Sequence, residues 1–171
     1  MQKLKKFQKE FMFSNKLLPL LFIITMMGNV KSVAQSVEYE AKREKALAGK
    51  SVFEKLVDRE LPATILYEDD TIMAFLPLRK QAPVHILIIP KKRIVSVNEL
   101  EDADAKLIGK MFLVARDLAK KYNIDQSGYR LIVNTNEDAG QSVFHLHMHL
   151  IGGKSLGPIT TQDFTDPHEK D

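Results

Sequence analysis

Three of the five histidines occupy alternate positions in one short stretch, at His145, His147 and His149. The residues between and beside them are apolar: Phe144, Leu146, Met148 and Leu150. Because successive side chains of a β-strand point to opposite faces, this period of two predicts a strand with the imidazoles on one face, about 7 Å apart, and apolar side chains on the other. A chain with this pattern has to cover one face of a sheet and leave the other accessible.

The histidine row indicates chemistry near neutral pH. Histidine has an unperturbed pKa close to neutrality, so three histidines can supply a neutral nucleophile, a proton carrier and an orienting partner. Gln141 and Ser142 precede the row in a loop that contains Gly140. This loop adds an amide, a hydroxyl and backbone N–H groups that suit an oxyanion or a phosphate.

A metal site is the competing interpretation, because three imidazoles can imitate a zinc site that keeps one position open. In an extended strand the first and third imidazoles would lie about 13 to 14 Å apart, too far to bind one ion unless the strand bends. The chain has no cysteine to complete such a site. We therefore expect no metal. The chain has no P-loop or dinucleotide fingerprint, so we expect no other cofactor.

The pattern His145-Leu146-His147-Met148-His149 resembles the histidine triad signature of the HIT superfamily. Further stretches resemble its Hint (histidine triad nucleotide-binding) branch in the same order: 61–63, 67–70, 74–75, 81–92 and 129–134. The resemblance extends from about residue 51 to residue 154. It is specific because several separate motifs agree in order and spacing.

Local signals predict the elements around the histidines. Ser51 and Glu54 form a capping-box pattern at the start of a short helix that ends at Leu61-Pro62. Residues 101–122 have helical periodicity, with Met111 and Phe112 predicted to lie in the core. The other predicted strands are 64–67, 72–75, 84–89 and 129–134.

These elements predict an α+β fold, a mainly antiparallel sheet with one long and one short helix. The resemblance implies that the sheet has five strands and that two copies form a homodimer by continuing the sheet. We predict four segments: a cleaved signal peptide (1–34), a polar helix or linker (35–50), the HIT domain (51–154) and a polar tail (155–171).

The signal peptide is predicted from the order of its parts. Five lysines precede an apolar run, Leu17 to Met27, and Ser32 and Ala34 supply small residues for cleavage. The run is short for a membrane span, which needs about 20 apolar residues, so we expect no stable span after cleavage. Export follows if the leader is real. A start at Met26 or Met27 would instead leave the protein in the cytoplasm.

The leader also accounts for the basic charge. The formal net charge of the whole chain is +3. Residues 1–34 hold six lysines and one glutamate, so the rest of the chain has 19 basic and 21 acidic side chains. The basic charge is therefore no evidence for nucleic-acid binding, and we expect none.

The resemblance implies a hydrolase that acts on a purine nucleotide, with the roles carried over by position. His147 matches the nucleophile, His149 the residue near the phosphate and leaving group, and His145 and His85 the pair that orients the nucleophile. Ser142 matches the residue that helps protonate the leaving amine. The nucleotide-binding positions are Phe53, Leu56, Leu61, Phe75, Leu76, Leu78, Asn134, Gly140, Gln141, Ser142 and Val143.

Three alternatives to a purine nucleoside phosphoramidase stay open at this point. Within the superfamily the alternative is a hydrolase of dinucleoside polyphosphates of the diadenosine tetraphosphate type. Outside it are a three-histidine metal-binding protein and a nucleotide-binding scaffold without catalysis. Ser142-Val143 before the triad and Gly152-Gly153 after it favour the Hint branch.

The chain departs from the Hint pattern at Pro77. Hint-like proteins usually carry an aspartate between Phe75 and Gln81 that binds the ribose hydroxyls, whereas this segment reads Leu76-Pro77-Leu78-Arg79-Lys80. Proline has no side-chain acceptor. We therefore expect weak preference for ribose over deoxyribose, and Arg79 or Lys80 either meets additional phosphate or is solvated.

Export is testable at the N-terminus of the mature protein. Protein recovered from its native cells should begin at or near Gln35, because cleavage follows the small residues of the leader. Intact mass spectrometry measures this directly. A chain that retains Met1, or that begins at Met26 or Met27 in the cytosolic fraction, would contradict the signal peptide.

Overall fold

The computed structural model describes residues 37–158. The predicted leader (1–34) and most of the predicted polar tail (155–171) lie outside the described residues.

The chain divides into two compact units, residues 1–49 and 50–171. In the first unit residues 37–47 form helix α1, within the segment where the sequence predicts a polar helix. None of the helices in the described part of the chain is long and apolar enough to cross a bilayer.

The second unit is built on one antiparallel sheet of five strands. These are β1 (Ile65–Glu68), β2 (Ile72–Phe75), β3 (Val84–Pro90), β4 (Tyr129–Ile132) and β5 (Met148–Gly152). Their order across the sheet is β1-β2-β3-β5-β4, and every neighbouring pair is antiparallel. The prediction of an α+β fold with a mainly antiparallel five-stranded sheet is confirmed.

Helix α3 (Ala105–Lys121) covers one face of the sheet. Alternate residues of the central strands point to it, including Ile86 and Ile88 of β3 and Leu150 of β5, all fully buried. They pack with an apolar stripe of the helix: Met111, Val114, Ala115, Leu118 and Ala119. This is the principal core, and it commits one face of every central strand to packing.

The short helix α2 (Val52–Val57) lies over the opposite face. Its Phe53 and Leu56 pack with Phe75 of β2 and with Leu87 and Ile89 of β3. Leu87 is directly opposite His149 in the register of β3 and β5. The face that carries the histidines is therefore covered only in part, by one short helix.

Local chemistry explains where α2 begins and ends. The Ser51 hydroxyl accepts from the Glu54 amide at 3.1 Å, and the Glu54 carboxylate accepts from the Ser51 amide at 2.7 Å. The predicted capping box is therefore present. The helix ends at Val57, earlier than predicted, because Arg59 adopts a left-handed conformation with φ of 64°.

Two expectations about the long helix are wrong. The α-helix starts at Ala105, after short 3₁₀ turns at Val97–Glu99 and Asp102–Asp104. Phe112 is 50% exposed, whereas Met111 is buried. Phe112 comes one position after the buried Met111. A step of about 100° around the helix turns its side chain away from the sheet.

The prediction of one strand through all three histidines is also wrong. Only His149 lies on β5, and His145 and His147 lie in the irregular segment before it. The ladder between β3 and β5 stops at the pair Ile88 and Met148. Farther along β3, Pro90 has no N–H to donate, and the Leu146 amide donates instead to the Ile94 carbonyl at 2.6 Å.

Candidate active site

A cavity of about 960 Å³ opens on the sheet face partly covered by α2. Three histidines form its floor: His85, His147 and His149. Of the other residues predicted for the site, those that line it are Phe53, Leu56, Leu61, Phe75, Leu76, Leu78, Ser142 and Val143. The lining contains no aspartate or glutamate, and Pro77, Arg79 and Lys80 complete one wall.

Four predicted residues lie outside this lining: His145, Asn134, Gly140 and Gln141. Gln141 is buried, and its side-chain amide donates to the carbonyls of Val95 and Val143 at 2.7 and 3.2 Å. Its side-chain oxygen accepts from the Asn136 amide at 2.9 Å. The side chain of Gln141 therefore holds the shape of the loop that leads to the histidines.

The proton positions on His147 follow from its single described hydrogen bond. Nδ1 lies 2.8 Å from the carbonyl oxygen of His145. A carbonyl can only accept, so Nδ1 carries the proton and donates it. In a neutral ring the other nitrogen, Nε2, then has a free lone pair, and this ring lines the cavity. His147 is thus held as a nucleophile or base.

His85 and His149 form a second hydrogen-bonded chain. The Gln81 amide donates to His85 Nδ1 at 3.2 Å, so the proton of a neutral His85 is on Nε2. His85 Nε2 lies 2.9 Å from His149 Nδ1 and therefore donates to it. The proton of His149 is then on Nε2. This nitrogen is buried without a hydrogen-bond partner among residues 37–158, and the His149 side chain belongs to the lining of the cavity.

His145 supports His147 from behind. Its ring is fully buried, with Nε2 at 2.8 Å from the Pro90 carbonyl and Nδ1 at 3.0 Å from the Ser51 hydroxyl. Phe53 stands edge-on to His145 and His147, with ring centroids 5.7 and 5.2 Å away. The rings of His147 and His149 are 5.1 Å apart, closer than the roughly 7 Å spacing along a regular strand.

Burial keeps the four rings neutral at pH 7. Loss of solvent lowers the pKa of His85, His145 and His147 below the ordinary value for histidine. The pKa of His149 falls to about 4, first because of burial and then because His147 and His85 lie nearby. Neutral rings are what the deduced proton positions require.

The described residues do not converge on a metal ion. No group of three or more histidine, cysteine, aspartate or glutamate side chains in the described part of the chain is arranged to hold a metal ion. The ring nitrogens of His145 are both used by Pro90 and Ser51, and His147 Nδ1 is used by a backbone carbonyl. The three-histidine metal hypothesis therefore lacks converging donors.

Sequence reasoning missed two contributors to the site. Ser51 is predicted only as a helix cap, and nothing in its neighbourhood indicates a contact with His145, 94 positions away. The backbone amide of Gln81 orients His85, and a backbone group has no residue-type signal. In the sequence, Pro83 and the strand that follows it indicate a fixed chain near Gln81, but they do not indicate this contact.

Comparison with known proteins gives the same family that the sequence motifs resemble. The family model described as HIT domain matches residues 58–156. The purine nucleoside phosphoramidase of Escherichia coli K12 is 45% identical over 113 residues, which cover 66% of this chain and 95% of that protein. The family match includes all five strands and begins just after α2.

Solved structures show the same similarity. A HIT family hydrolase from Legionella pneumophila has a TM-score of 0.62 and 42% identity, over 63% of this chain and 96% of that one. A HIT family hydrolase from Clostridium thermocellum also has a TM-score of 0.62, with 45% identity over 64% of this chain and 95% of that one.

The depressed histidine pKa values predict how stability depends on pH. Unfolded histidines bind protons near pH 6.5, whereas the buried rings resist protonation until lower pH, down to about 4 for His149. The unfolded state therefore binds more protons as the pH falls from 6.5 to 4.5, and the free energy of unfolding should decrease over this range. Urea unfolding at pH 6.5, 5.5 and 4.5 measures it.

The control for this prediction is His149→Gln, which removes the ring whose pKa falls to about 4. Its stability should depend less steeply on pH than that of the wild type between pH 6.5 and 4.5. A wild-type stability that stays constant or rises on acidification would show that the rings are not held neutral.

Proposed function

The chain belongs to the HIT domain family, and on that premise we propose that it is a nucleotide hydrolase with purine nucleoside phosphoramidase activity. The observation that carries the proposal is the state of His147. Its Nδ1–H is committed to the His145 carbonyl at 2.8 Å, so the Nε2 lone pair is available in a cavity large enough for a nucleotide.

In the first step His147 Nε2 attacks the α-phosphorus of the nucleotide and forms a P–N bond. The bond from phosphorus to the leaving nitrogen breaks, and its electron pair stays on that nitrogen. The Ser142 hydroxyl, on the same cavity wall, supplies the proton that the leaving amine needs. The His145 carbonyl stabilises the positive charge that develops on the His147 ring through the Nδ1–H bond.

His149 serves the same step through its Nε2–H, which is buried and without a partner among the described residues. A phosphate oxygen placed beside it would accept this hydrogen bond, and its negative charge would be neutralised in part. In the second step water attacks the phosphorus of the nucleotidyl-histidine and gives one proton to the Ser142 oxygen, which the first step left deprotonated. The P–N bond to His147 breaks, and the nucleoside monophosphate leaves with the oxygen of that water.

The apolar part of the cavity suits a nucleobase. Phe53 and Phe75 meet edge to face with centroids 5.6 Å apart, and Leu56 and Leu87 lie beside them. A flat purine gains both burial and aromatic contact in such surroundings. Because Phe53 also touches the His147 ring, a base in this pocket would lie next to the nucleophile.

A dinucleoside polyphosphate hydrolase is the second candidate. Arg79 and Lys80 lie on the cavity wall and are both exposed. Two cations at the mouth of a cavity that has no carboxylate favour a substrate with more than one phosphate. The same His147 chemistry applies, with a nucleotide as the leaving group in place of an amine.

Export and dimerisation complete the proposal. The leader-like residues 1–34 support export, and the resemblance supports a homodimer that continues the sheet. Strands β1 and β4 form the two edges of the sheet, and an edge strand has backbone groups that can pair with another chain. We propose that the substrate occurs in the same compartment as the mature chain.

The mechanism predicts that His147→Asn abolishes turnover while the fold and nucleotide binding persist. The asparagine amide can still donate to the His145 carbonyl, but it has no nucleophilic lone pair in place of Nε2. Loss of a covalent nucleophile typically costs several orders of magnitude in rate, at about 1.4 kcal/mol per tenfold. Activity within tenfold of the wild type would rule out the nucleotidyl-histidine.

One substrate panel separates the candidates. Adenosine and guanosine phosphoramidates and dinucleoside polyphosphates are offered to the wild type and to His147→Asn, and mass spectrometry detects a nucleotidyl adduct on the protein. Preferential turnover of the phosphoramidates supports the first candidate, and preferential turnover of the polyphosphates the second. The variant should bind the preferred substrate and form no adduct.

The cavity wall at Pro77 predicts weak recognition of ribose. Pro77 lines the cavity between Leu76 and Leu78, and the lining contains no carboxylate. A charge-assisted hydrogen bond contributes about 1.5 to 3 kcal/mol, so Pro77→Asp should raise the affinity for AMP and its preference over deoxy-AMP by roughly tenfold or more. Isothermal titration calorimetry with both nucleotides measures each quantity.

Pro77→Ala is the matched control, because it removes the ring without adding an acceptor. It should bind AMP and deoxy-AMP as the wild type does. A strong ribose preference in the wild type would contradict the prediction and would show that another group binds the hydroxyls.

A further inference from the structure

Ser51 joins the start of helix α2 to the histidine behind the nucleophile. Its hydroxyl oxygen lies 3.0 Å from His145 Nδ1. Both side chains are buried, with Ser51 7% and His145 0% exposed. A hydroxyl in this environment has few partners to choose from, so its role can be deduced from the groups around it.

The deduction follows from the groups that cannot change role. The Pro90 carbonyl accepts from His145 Nε2 at 2.8 Å, so the proton of this neutral ring is on Nε2 and Nδ1 has to accept. The Ser51 oxygen already accepts from the Glu54 amide at 3.1 Å. Its own proton is therefore free to be donated to His145 Nδ1. Every proton in this chain of contacts is accounted for.

The next contact reaches the nucleophile. The backbone carbonyl of His145 accepts the Nδ1–H of His147 at 2.8 Å. With its ring held at both nitrogens, His145 has a fixed position, and so does its carbonyl. We propose that Ser51 is a positioning residue for hydrolysis: by holding the His145 ring, it keeps that carbonyl aimed at His147 Nδ1 and so keeps the His147 Nε2 lone pair toward the substrate.

The charged and titratable groups around His145 come from three parts of the chain. Glu54 of α2 forms an ion pair with Arg93 at 3.2 Å, and Arg93 Nε donates to the Phe144 carbonyl at 3.2 Å. His147 is the third neighbour. The start of α2 is thus bound both to the His145 ring, through Ser51, and to the residue before His145, through Glu54 and Arg93. No other described group forms a hydrogen bond with His145 Nδ1.

The proposal rests on the function proposed above, and Ser51→Ala tests it. This change removes the donor to Nδ1 and makes protonation of His145 easier. We expect kcat to fall by roughly tenfold to a hundredfold, as for loss of one buried hydrogen bond, with KM little changed. The acid limb of the pH profile of kcat/KM should move to higher pH. Ser51→Thr keeps the hydroxyl and should restore kcat to within about threefold.

Ser96→Ala is the matched control for loss of a buried cap. Ser96 is 1% exposed, accepts from the Asn98 amide at 3.1 Å and caps a short 3₁₀ turn. Its described contacts include no histidine, so Ser96→Ala should lower stability without moving the pH profile. A folded Ser51→Ala with kcat within twofold of the wild type, or with a pH profile like that of Ser96→Ala, would overturn the proposal.

Nitrogen-15 NMR of the histidine rings gives a readout that needs no substrate. In the wild type at pH 7, His145 should have a protonated Nε2 and an unprotonated, hydrogen-bonded Nδ1. Ser51→Ala should change the Nδ1 signal, and Ser96→Ala should not. A wild-type His145 with its proton on Nδ1 overturns the proposal even if Ser51→Ala fails to fold. If no substrate is turned over, the function proposal fails, and the NMR result still decides the role of Ser51.

Discussion

The site depends on a rule of hydrogen bonding in buried imidazoles: a neutral ring donates with one nitrogen and accepts with the other. Here backbone groups determine which nitrogen donates and which accepts. The carbonyls of Pro90 and His145 can only accept, and the amide of Gln81 can only donate. Because these groups have fixed roles, the proton positions on all four rings follow from the path of the chain.

The fold supplies this arrangement by giving the two faces of the sheet different tasks. Helix α3 buries one face in a continuous apolar core, which holds the central strands in place. The opposite face then needs only the short helix α2, and the space left beside that helix is the cavity. The same pleat that sends Ile86 and Ile88 into the core sends His85 and Leu87 toward the cavity.

The sequence predicts the parts of the molecule that depend on local periodicity. The strand after Pro83 and the capping box at Ser51 are present as predicted. The long helix before Tyr122 is also present, although it starts at Ala105. Most of the residues expected at the nucleotide line the cavity. These features follow from side-chain pattern and backbone propensity, which neighbouring residues determine.

What the sequence does not predict depends on distant partners. The ladder between β3 and β5 stops at Ile88 and Met148, and Pro90, two residues farther along β3, has no N–H with which to extend it. Ser51 reaches His145 only because α2 is packed on the sheet. The side chain of Gln141 donates hydrogen bonds to the carbonyls of Val95 and Val143 and so stabilises the loop. No local pattern contains this information.

The Nε2–H of His149, which has no partner among residues 37–158, has a consequence for the evolution of the chain. A buried donor without an acceptor destabilises the free protein, by about 1 to 3 kcal/mol in general. Substitutions that put an apolar side chain in its place would therefore make the protein more stable and remove a donor that the proposed mechanism uses. Selection for stability and selection for function act in opposite directions at this one atom.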